Sequence, residues 1–248
     1  MFKSKIQDIT TIKDSLEAIS SLLTEGSFKV SKEGIELIAM DPASVSMVIF
    51  KLLPSAFLDY ECEKDDIMTL NITNLVSVLK RARANDRIAF ELTENKLKIK
   101  MVGDFKREFS LPLIDTPPQS QKIPELSFNN NIELFANVLQ DGIKDASMVS
   151  DCVVFEANEE KFSVKSFGDT SQTKLELEKN SPSMISMQST KDSLSKYSID
   201  YLDKILKAAK SSDKIKLSFS TDYPVKIECN KIDKYQLNFI LAPRVDTE

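Results

Sequence analysis

The stretch LNITNLVSVLKRARANDRIAFEL, residues 70–92, decides the fold, because it recurs without a gap as YSIDYLDKILKAAKSSDKIKLSF, residues 197–219. The offset, 197 minus 70, is 127 residues. At this offset identical or similar residues meet: Ile72 with Ile199, Leu75 with Leu202, Leu79 with Leu206, Lys80 with Lys207, Arg83 with Lys210, Asp86 with Asp213 and Ile88 with Ile215. The same shift brings Phe28 onto Phe155, Ile35 onto Phe162 and Leu37 onto Val164. The chain is therefore predicted to hold two similar domains in tandem.

Each copy of the repeat carries apolar residues at i, i+3, i+4 and i+7, the pattern of an amphipathic helix. These residues are Leu75, Val78, Leu79 and Ala82, and Leu202, Ile205, Leu206 and Ala209. Helical spacing also predicts helices over residues 11–23 and 131–143. Alternating runs predict strands: GIELIAM (34–40), KLKIKMV (96–102), KREFSLPL (106–113), KFSVKSF (161–167), KLELE (174–178) and YPVKIEC (223–229). We expect an α+β fold in which two helices back antiparallel sheets in each domain.

The join between the domains is expected in IDTPPQSQKIPELS, residues 114–127, where three prolines favour an extended connection. We predict an N-terminal domain over residues 1–114, a linker over 115–127 and a C-terminal domain over 128–248. The Ser-rich residues 181–195 fit either a loop or, through their alternation, a strand.

Composition excludes several function classes. The chain of 248 residues has no histidine, which removes the commonest general base and metal ligand, and its five glycines form neither a Walker loop nor a GxGxxG turn. Three scattered cysteines suggest reduced thiols that pack as small apolar residues. The start MFKSKIQDIT lacks an apolar core and no apolar run reaches about 18 residues, so we expect a cytoplasmic protein without a membrane span.

Charge is distributed unevenly on an acidic chain, whose formal net charge is −5. Lys80 and Arg83 lie at the same angles off the apolar stripe as Lys207 and Lys210, with Arg81 and Lys204 widening the basic face. Two matched basic faces predict sequence-independent contact with DNA phosphates. The alternative is a solvated helix face. No aromatic residue interleaves these cations, so stacking on a single strand is not indicated.

Six motifs resemble the DNA sliding clamps of the proliferating cell nuclear antigen family, of archaeal type: GIELIAMDPASV (34–45), LPLI (111–114), KIPELSF (122–128), YLDKILKAAKSSDKIKLS (201–218), DYPVKIE (222–228) and ILAPRV (240–245). The resemblance implies a processivity factor for replication and repair, built as a head-to-tail trimeric ring around duplex DNA. It implies DNA-facing positions at Lys13, Lys80, Arg81, Arg83, Lys144, Lys204, Lys207 and Lys210. The lining from residues 131–143 is expected to be weakly basic, because no cation precedes Lys144.

The resemblance also implies a pocket for short peptides of DNA polymerase, flap nuclease, ligase and the clamp loader. Its positions here are Met40, Val45, Met47, Ile123, Pro124, Phe128, Pro224, Ile240, Leu241, Ala242 and Pro243, all apolar as a hydrophobic anchor site requires. Without the resemblance, Met40, Met47 and Leu241 read equally well as ordinary core. Gln121 and Ser44 stand where other members can carry an apolar side chain or a histidine.

Ring closure in the family joins two edge strands, here residues 106–111 and 173–178. The implied interface residues are Arg83, Arg107, Phe109, Leu111, Asp141, Asp145, Lys174, Leu175 and Leu177. In particular, Asp141 and Asp145 are expected to meet Arg83 or Arg107 of a neighbouring copy.

Two other classes of function stay open at this point. One is a two-domain DNA-binding adaptor that encircles nothing. The other is an enzyme using a metal at the acidic pairs Asp65 and Asp66 or Glu159 and Glu160, although adjacent acids in polar turns are usually solvated. We expect no catalysis, metal or cofactor, and because no nucleotide site is recognisable, opening of the ring is expected to need an ATP-driven loader.

Overall fold

The computed structural model of the chain describes residues 2–6, 9–115, 121–210 and 213–245, apart from the side chain of residue 11. Residues 116–120 of the predicted linker lie outside this set. The described helices are α1 (Thr10–Ser20), α2 (Ile72–Leu79), α3 (Ala136–Ser147) and α4 (Ile199–Leu206). The strands are β1 (Phe2–Ile6), β2 (Glu25–Ser31), β3 (Gly34–Met40), β4 (Ser46–Leu52), β5 (Asp59–Cys62), β6 (Asp66–Asn71), β7 (Arg87–Leu92), β8 (Lys96–Val102), β9 (Lys106–Pro112), β10 (Asn130–Phe135), β11 (Cys152–Ala157), β12 (Lys161–Phe167), β13 (Gln172–Glu178), β14 (Met184–Ser189), β15 (Ser193–Ser198), β16 (Lys214–Phe219), β17 (Val225–Glu228) and β18 (Tyr235–Leu241).

The chain divides into two compact units. The first comprises Met1–Pro42, Val48–Ile123 and Asn230–Leu237, and the second Ala43–Met47, Pro124–Cys229 and Asn238–Glu248. The first unit contains α1 and α2 with the strand orders β5-β1-β7-β8-β9 and β6-β2-β3-β4. The second contains α3 and α4 with the orders β13-β12-β11-β15 and β14-β10-β16-β17-β18. Antiparallel pairing runs through both units, which confirms the predicted α+β class with two helices in each half.

Each unit buries the apolar stripes of its two helices. In the first unit α1 packs on α2 and buries Leu16, Ile19 and Leu79, each at most 5% exposed. In the second unit the stripe of α4 is buried in the same way. Four rings also pack together there at centroid distances of 5.2–6.1 Å: Phe155, Phe162, Tyr197 and Phe219. The periodicities of 3.6 and 2 residues therefore predict these faces because burial of apolar area drives both patterns.

The predicted helix over residues 131–143 is wrong in its first part. Residues Asn130–Phe135 form β10, where Ile132 and Leu134 are fully buried at a period of two and pair with β14 and β16. The helix begins only at Ala136, whose N–H donates to the Asp213 carbonyl at 2.8 Å. These residues therefore form a paired strand, although their spacing also fits a helix.

The helices of the repeat are shorter than their apolar stripes suggest. α2 ends at Leu79 and α4 at Leu206, so Arg83 and Lys210 lie in the turns that follow. The Asp86 carboxylate accepts the Arg83 N–H and the Asp213 carboxylate accepts the Lys210 N–H, both at 2.7 Å. Because each N–H is bonded to a side chain, these residues stay outside the helix, in the turn that follows it.

The predicted strands are all present, and one further correction concerns a boundary, since α1 ends at Ser20 rather than at residue 23. Of the two alternatives for the Ser-rich residues 181–195, the strand is confirmed, because they contain β14 and the start of β15. The edges of the sheets matter most for function. Both β9 and β13 lie at the end of a strand order within their own unit.

Candidate nucleic-acid interface and partner surfaces

The two basic turns, residues 80–83 and 207–210, are built alike. Each is closed by its aspartate, whose backbone N–H returns to the carbonyl of Arg83 at 3.0 Å or of Lys210 at 2.8 Å. Their cationic side chains are exposed to solvent. The two copies of the 127-residue repeat therefore share hydrogen bonds as well as sequence. Each unit carries its cations at equivalent positions of this turn.

In the part of the chain that the structure describes, carboxylates of the same unit pair with several of the cations predicted to face DNA. The N···O distances are 2.7 Å for Lys80 with Glu17, 2.7 Å for Lys204 with Asp200, 3.3 Å for Lys207 with Asp203 and 3.7 Å for Lys144 with Asp141. Exposed pairs of this kind contribute little stability and exchange readily with other ions. A phosphate can therefore displace the carboxylate, but the net binding free energy is smaller than it would be for contact with an unpaired cation.

A different side chain caps the carbonyl end of each basic helix. In the second unit Gln140 of α3 donates from Nε2 to the carbonyls of Leu206 at 3.1 Å and Ala209 at 2.9 Å. Residue 13, the counterpart of Gln140 at the 127-residue offset, is a lysine. In the first unit Arg107 of β9 instead donates from Nη1 to the Arg81 carbonyl at 2.7 Å. Sequence reasoning missed both caps, because neither donor lies in the repeated stretch.

Arg107 also ion-pairs with Asp86, which is only 4% exposed and accepts the Nη2 hydrogen. Arg83 lies beside this pair, with its guanidinium carbon 4.8 Å from the centre of the Phe105 ring. The two arginines predicted to meet a neighbouring copy thus occupy different environments. Arg107 is bonded inside the unit, whereas Arg83 is exposed on an aromatic face.

The two edge strands alternate exposed and half-buried side chains. On β9 the half-buried positions include Phe109 and Leu111, and on β13 they include Leu175, with Leu177 buried. Glu176 on β13 accepts hydrogen bonds from Lys174 and Lys161, which lower its pKa to about 2. Because an edge strand leaves backbone groups unpaired on one side, both strands can accept another strand.

The helix α3 presents its acidic residues beside β13. Asp141 and Asp145 are exposed, one helical turn apart, while Gly142 between them faces Leu175 and Val164. The acidic residues predicted for the subunit contact therefore lie next to the predicted edge strand in the same unit.

Most of the predicted peptide-binding residues belong to the second unit. The Ala242 N–H donates to the Val45 carbonyl at 2.9 Å, and Leu241 pairs with Val225, the residue after Pro224. The Phe128 ring packs edge-on against Tyr223 at 5.9 Å.

These residues differ in exposure, so some of them can contact a partner and the others lie beneath them. Val45, Phe128, Pro224, Ala242 and Pro243 are half-buried and Pro124 is exposed, whereas Met47, Ile240 and Leu241 are buried. The half-buried residues offer apolar contact to a partner, and the buried ones support them. Met40, half-buried, and Ile123, 48% exposed, belong to the first unit.

Neither a metal cluster nor a membrane-spanning helix is found in the part of the chain that the structure describes. The acidic residues Asp65, Asp66, Glu159 and Glu160 are exposed. The cysteines are free, and burial raises the pKa of the Cys229 thiol to about 12.

Comparison with known proteins defines the class. The N-terminal domain profile of proliferating cell nuclear antigen (PCNA) matches residues 1–112, and the C-terminal domain profile matches residues 122–244. The chain belongs to the proliferating cell nuclear antigen family.

Individual relatives agree over nearly the whole chain. The DNA polymerase sliding clamp of Nanoarchaeum equitans is 37% identical over 243 residues, which cover 96% of this chain and 98% of that protein. DNA polymerase sliding clamp 1 of Thermococcus kodakarensis is 35% identical over 94% of each.

Among solved structures, a PCNA from Thermococcus kodakaraensis superposes with a TM-score of 0.94 at 27% identity, covering 98% of this chain and all of that one. The PCNA of A. fulgidus, bound to the C-terminal region of FEN-1, gives a TM-score of 0.90 at 25% identity, with both chains fully covered.

Proposed function

We propose that this protein is a DNA polymerase sliding clamp, which encloses duplex DNA as a ring of three copies and tethers replication and repair proteins without catalysing a reaction. Family membership over nearly the whole chain supports this function, as do relatives that bear the name. The observation that carries it is the pair of basic turns, because their repetition on two units suits a polyanion with repeating phosphates.

DNA contact is proposed at the exposed or half-buried cations Lys13, Lys80, Arg81, Arg83, Lys144, Lys204, Lys207 and Lys210. Four of them are held by carboxylates of their own unit. A phosphate contact at any of these four therefore exchanges one ion pair for another, and its net free energy is small. Weak, exchangeable contacts suit a protein that moves along DNA, since no single register is favoured.

Closure of the ring is proposed through β9 of one copy and β13 of the next, with contributions from Arg83, Arg107, Phe109, Leu111, Asp141, Asp145, Lys174, Leu175 and Leu177. Pairing would satisfy the backbone groups that each edge strand leaves open. Arg107 lies on β9 with Arg83 beside the turn before it, whereas Asp141 and Asp145 lie on α3, whose Gly142 faces Leu175 of β13.

Partner binding is proposed at Met40, Val45, Met47, Ile123, Pro124, Phe128, Pro224, Ile240, Leu241, Ala242 and Pro243. The half-buried apolar members provide the anchor surface, and peptides of DNA polymerase, flap nuclease, ligase and the clamp loader are the proposed ligands. Support comes from the A. fulgidus PCNA, which was solved with the C-terminal region of FEN-1. We further propose a cytoplasmic location, and domain limits at residues 1–114 and 128–248 with a linker over 115–127.

The first test is the solution mass by light scattering at low and high salt. A ring gives about 84 kDa, three times the 27.9 kDa of the chain, whereas a species of one chain mass at high concentration refutes self-assembly.

The second test separates a ring from a DNA-binding adaptor. The protein is loaded with a clamp loader onto nicked circular DNA, and retention in high salt is compared before and after the circle is cut open. A ring stays on the closed circle and slides off the linear product, because topology holds it there. An adaptor leaves both, since salt screens its phosphate contacts.

A further inference from the structure

The edge strand β15 holds two segments of the proposed peptide surface. It lies at one end of the strand order β13-β12-β11-β15, so one side of its backbone faces away from that sheet. The Asp222 N–H donates to the Leu194 carbonyl at 3.2 Å, and the Leu194 N–H donates to the Thr221 hydroxyl oxygen at 3.4 Å. The Arg244 N–H donates to the Lys196 carbonyl at 2.7 Å. The loop before β17 and the segment after β18 are therefore fixed to the same strand.

Tyr197 of β15 holds the same loop by its side chain. The residue is fully buried, and its hydroxyl donates to the Tyr223 carbonyl at 2.7 Å, as the Ser195 hydroxyl does at 3.4 Å. This carbonyl belongs to the peptide group that joins Tyr223 to Pro224, one of the residues proposed to contact a partner. Burial raises the pKa of the Tyr197 phenol, so the hydroxyl keeps the hydrogen that it donates. Two side chains of one strand thus fix the backbone next to Pro224.

These two donors differ between the copies of the repeat. At the 127-residue offset Leu70 corresponds to Tyr197 and Met68 to Ser195, and both are buried side chains without a hydrogen to donate. The first copy forms the same helix and strands with apolar residues at both places, so the fold itself does not require the hydroxyls. The proposed peptide surface lies mostly in the second unit, as these donors do. The hydroxyls therefore occur beside the surface that they can serve.

The position of Tyr223 shapes the apolar surface. Its ring packs edge-on against Phe128 at a centroid distance of 5.9 Å, and Val225, two residues on, pairs with Leu241. Tyr223, Pro224 and Phe128 are half-buried, so a partner can reach them. A loop already held in one conformation loses less entropy when a peptide binds than a loop that must first be ordered. Bonds to the Tyr223 carbonyl therefore favour peptide binding without touching the peptide.

We propose that Tyr197 is a positioning residue for partner binding. Its hydroxyl fixes the Tyr223 carbonyl and thereby holds Pro224 and the Phe128 contact in the conformation that accepts the apolar anchor of a peptide. This inference rests on the proposed peptide surface. Because Tyr197 is 0% exposed, it acts on affinity through the loop and not by contact with the peptide. The state of the loop and the affinity can therefore be measured separately.

The affinity of the full chain for a synthetic peptide of the C-terminal region of FEN-1, measured by isothermal titration calorimetry, tests the proposal. Tyr197→Phe keeps the ring and removes the hydroxyl, and it is expected to weaken binding about fivefold. Ser195→Ala removes the longer bond and should weaken binding about twofold. Tyr60→Phe is the matched control, because the Tyr60 hydroxyl donates to the Ser31 carbonyl at 2.6 Å in the first unit. It removes the same kind of bond and should leave the affinity unchanged.

Hydrogen exchange tests the positioning step without a peptide. In Tyr197→Phe the Asp222 amide, which bonds to Leu194, should exchange about fivefold faster, whereas the Arg244 amide on the same strand should keep its rate. Unchanged exchange at Asp222 overturns the positioning step.

The link to partner binding is overturned if Tyr197→Phe binds the peptide as tightly as the wild type, or if Tyr60→Phe weakens binding equally. If the wild type does not bind the peptide, the proposed peptide surface fails. The exchange result then still decides whether Tyr197 positions the loop.

Discussion

Gln140 is expected to hold the basic end of α4 in place, and removal of its two donors should destabilise the second unit. Its Nε2 group bonds the carbonyls of Leu206 and Ala209, residues that are 3% and 7% exposed. Gln140→Met keeps the length and helical preference of the side chain and removes its amide group, including both donors. Any loss is therefore assigned to the hydrogen bonds.

The size of the loss follows from the two bonds. A net intramolecular hydrogen bond contributes about 0.5–1.5 kcal/mol, and water only partly replaces a donor at a nearly buried carbonyl. Gln140→Met is therefore expected to lower the free energy of unfolding by about 2 kcal/mol. Local opening of residues 207–210 should become easier by at least tenfold, because about 1.4 kcal/mol corresponds to a factor of ten.

Urea unfolding followed by far-ultraviolet circular dichroism measures the loss, since the chain has no tryptophan. Hydrogen exchange of the Ala208 and Ala209 amides, which bond to Ile205 and Leu206, reports the local opening. Asn137→Met, at an exposed position of the same helix, is the control and should stay within about 0.5 kcal/mol. Equal stability and equal exchange in Gln140→Met and the control would refute the capping role.

Three further outcomes are expected. Cys62 is half-buried, whereas Cys152 and Cys229 are buried, so Cys62 should account for most of the reaction of the native protein with a thiol reagent. The reaction should be slow at neutral pH, because burial raises the pKa of the Cys62 thiol. An unchanged reaction rate in Cys62→Ser would contradict this. Gly34→Ala should prevent folding or cost several kcal/mol in urea, because the residue has φ +126° and a Cβ would lie 2.2 Å from the Leu52 carbonyl oxygen; near-wild-type stability would show that this turn rearranges. Lys174 helps to lower the pKa of Glu176 from its ordinary 4.5 to about 2. The ionised carboxylate therefore stabilises the fold above pH 4.5, and this contribution is lost as the pH falls toward 2. Glu176→Gln should flatten the dependence of stability on pH in that window only.

The repeat made most of the fold predictable. Apolar spacing predicts the helix–turn–strand unit in both halves, because it places residues such as Leu79 and Leu206 on the buried face of each helix. The error at residues 131–135 has the same origin. Ile132 and Leu134 satisfy both periods, and only pairing with β16, a strand distant in sequence, decides between them.

The chemistry of the basic turns was predictable only in part. Matched cations at a fixed offset are visible in the sequence, but the carboxylates that balance them and the caps beneath them are not. Glu17 reaches Lys80 from another helix, and Arg107 reaches Asp86 from another strand. Such pairs depend on how elements pack, which periodicity does not encode.

Arg83 and Arg107 lie in different environments for a physical reason. A buried carboxylate needs a permanent partner, since leaving it unpaired costs several kcal/mol, about 3–5 when one partner of a buried pair is removed. The Asp86 carboxylate accepts the Arg83 N–H and so fixes the turn after α2, and Arg107 is the cation that compensates its buried charge. A turn fixed in this way presents its remaining cations at one geometry. Exposed Lys80, meanwhile, is held by an exchangeable carboxylate. A rigid backbone that carries exchangeable charges can follow a moving polyanion without binding tightly to any one phosphate.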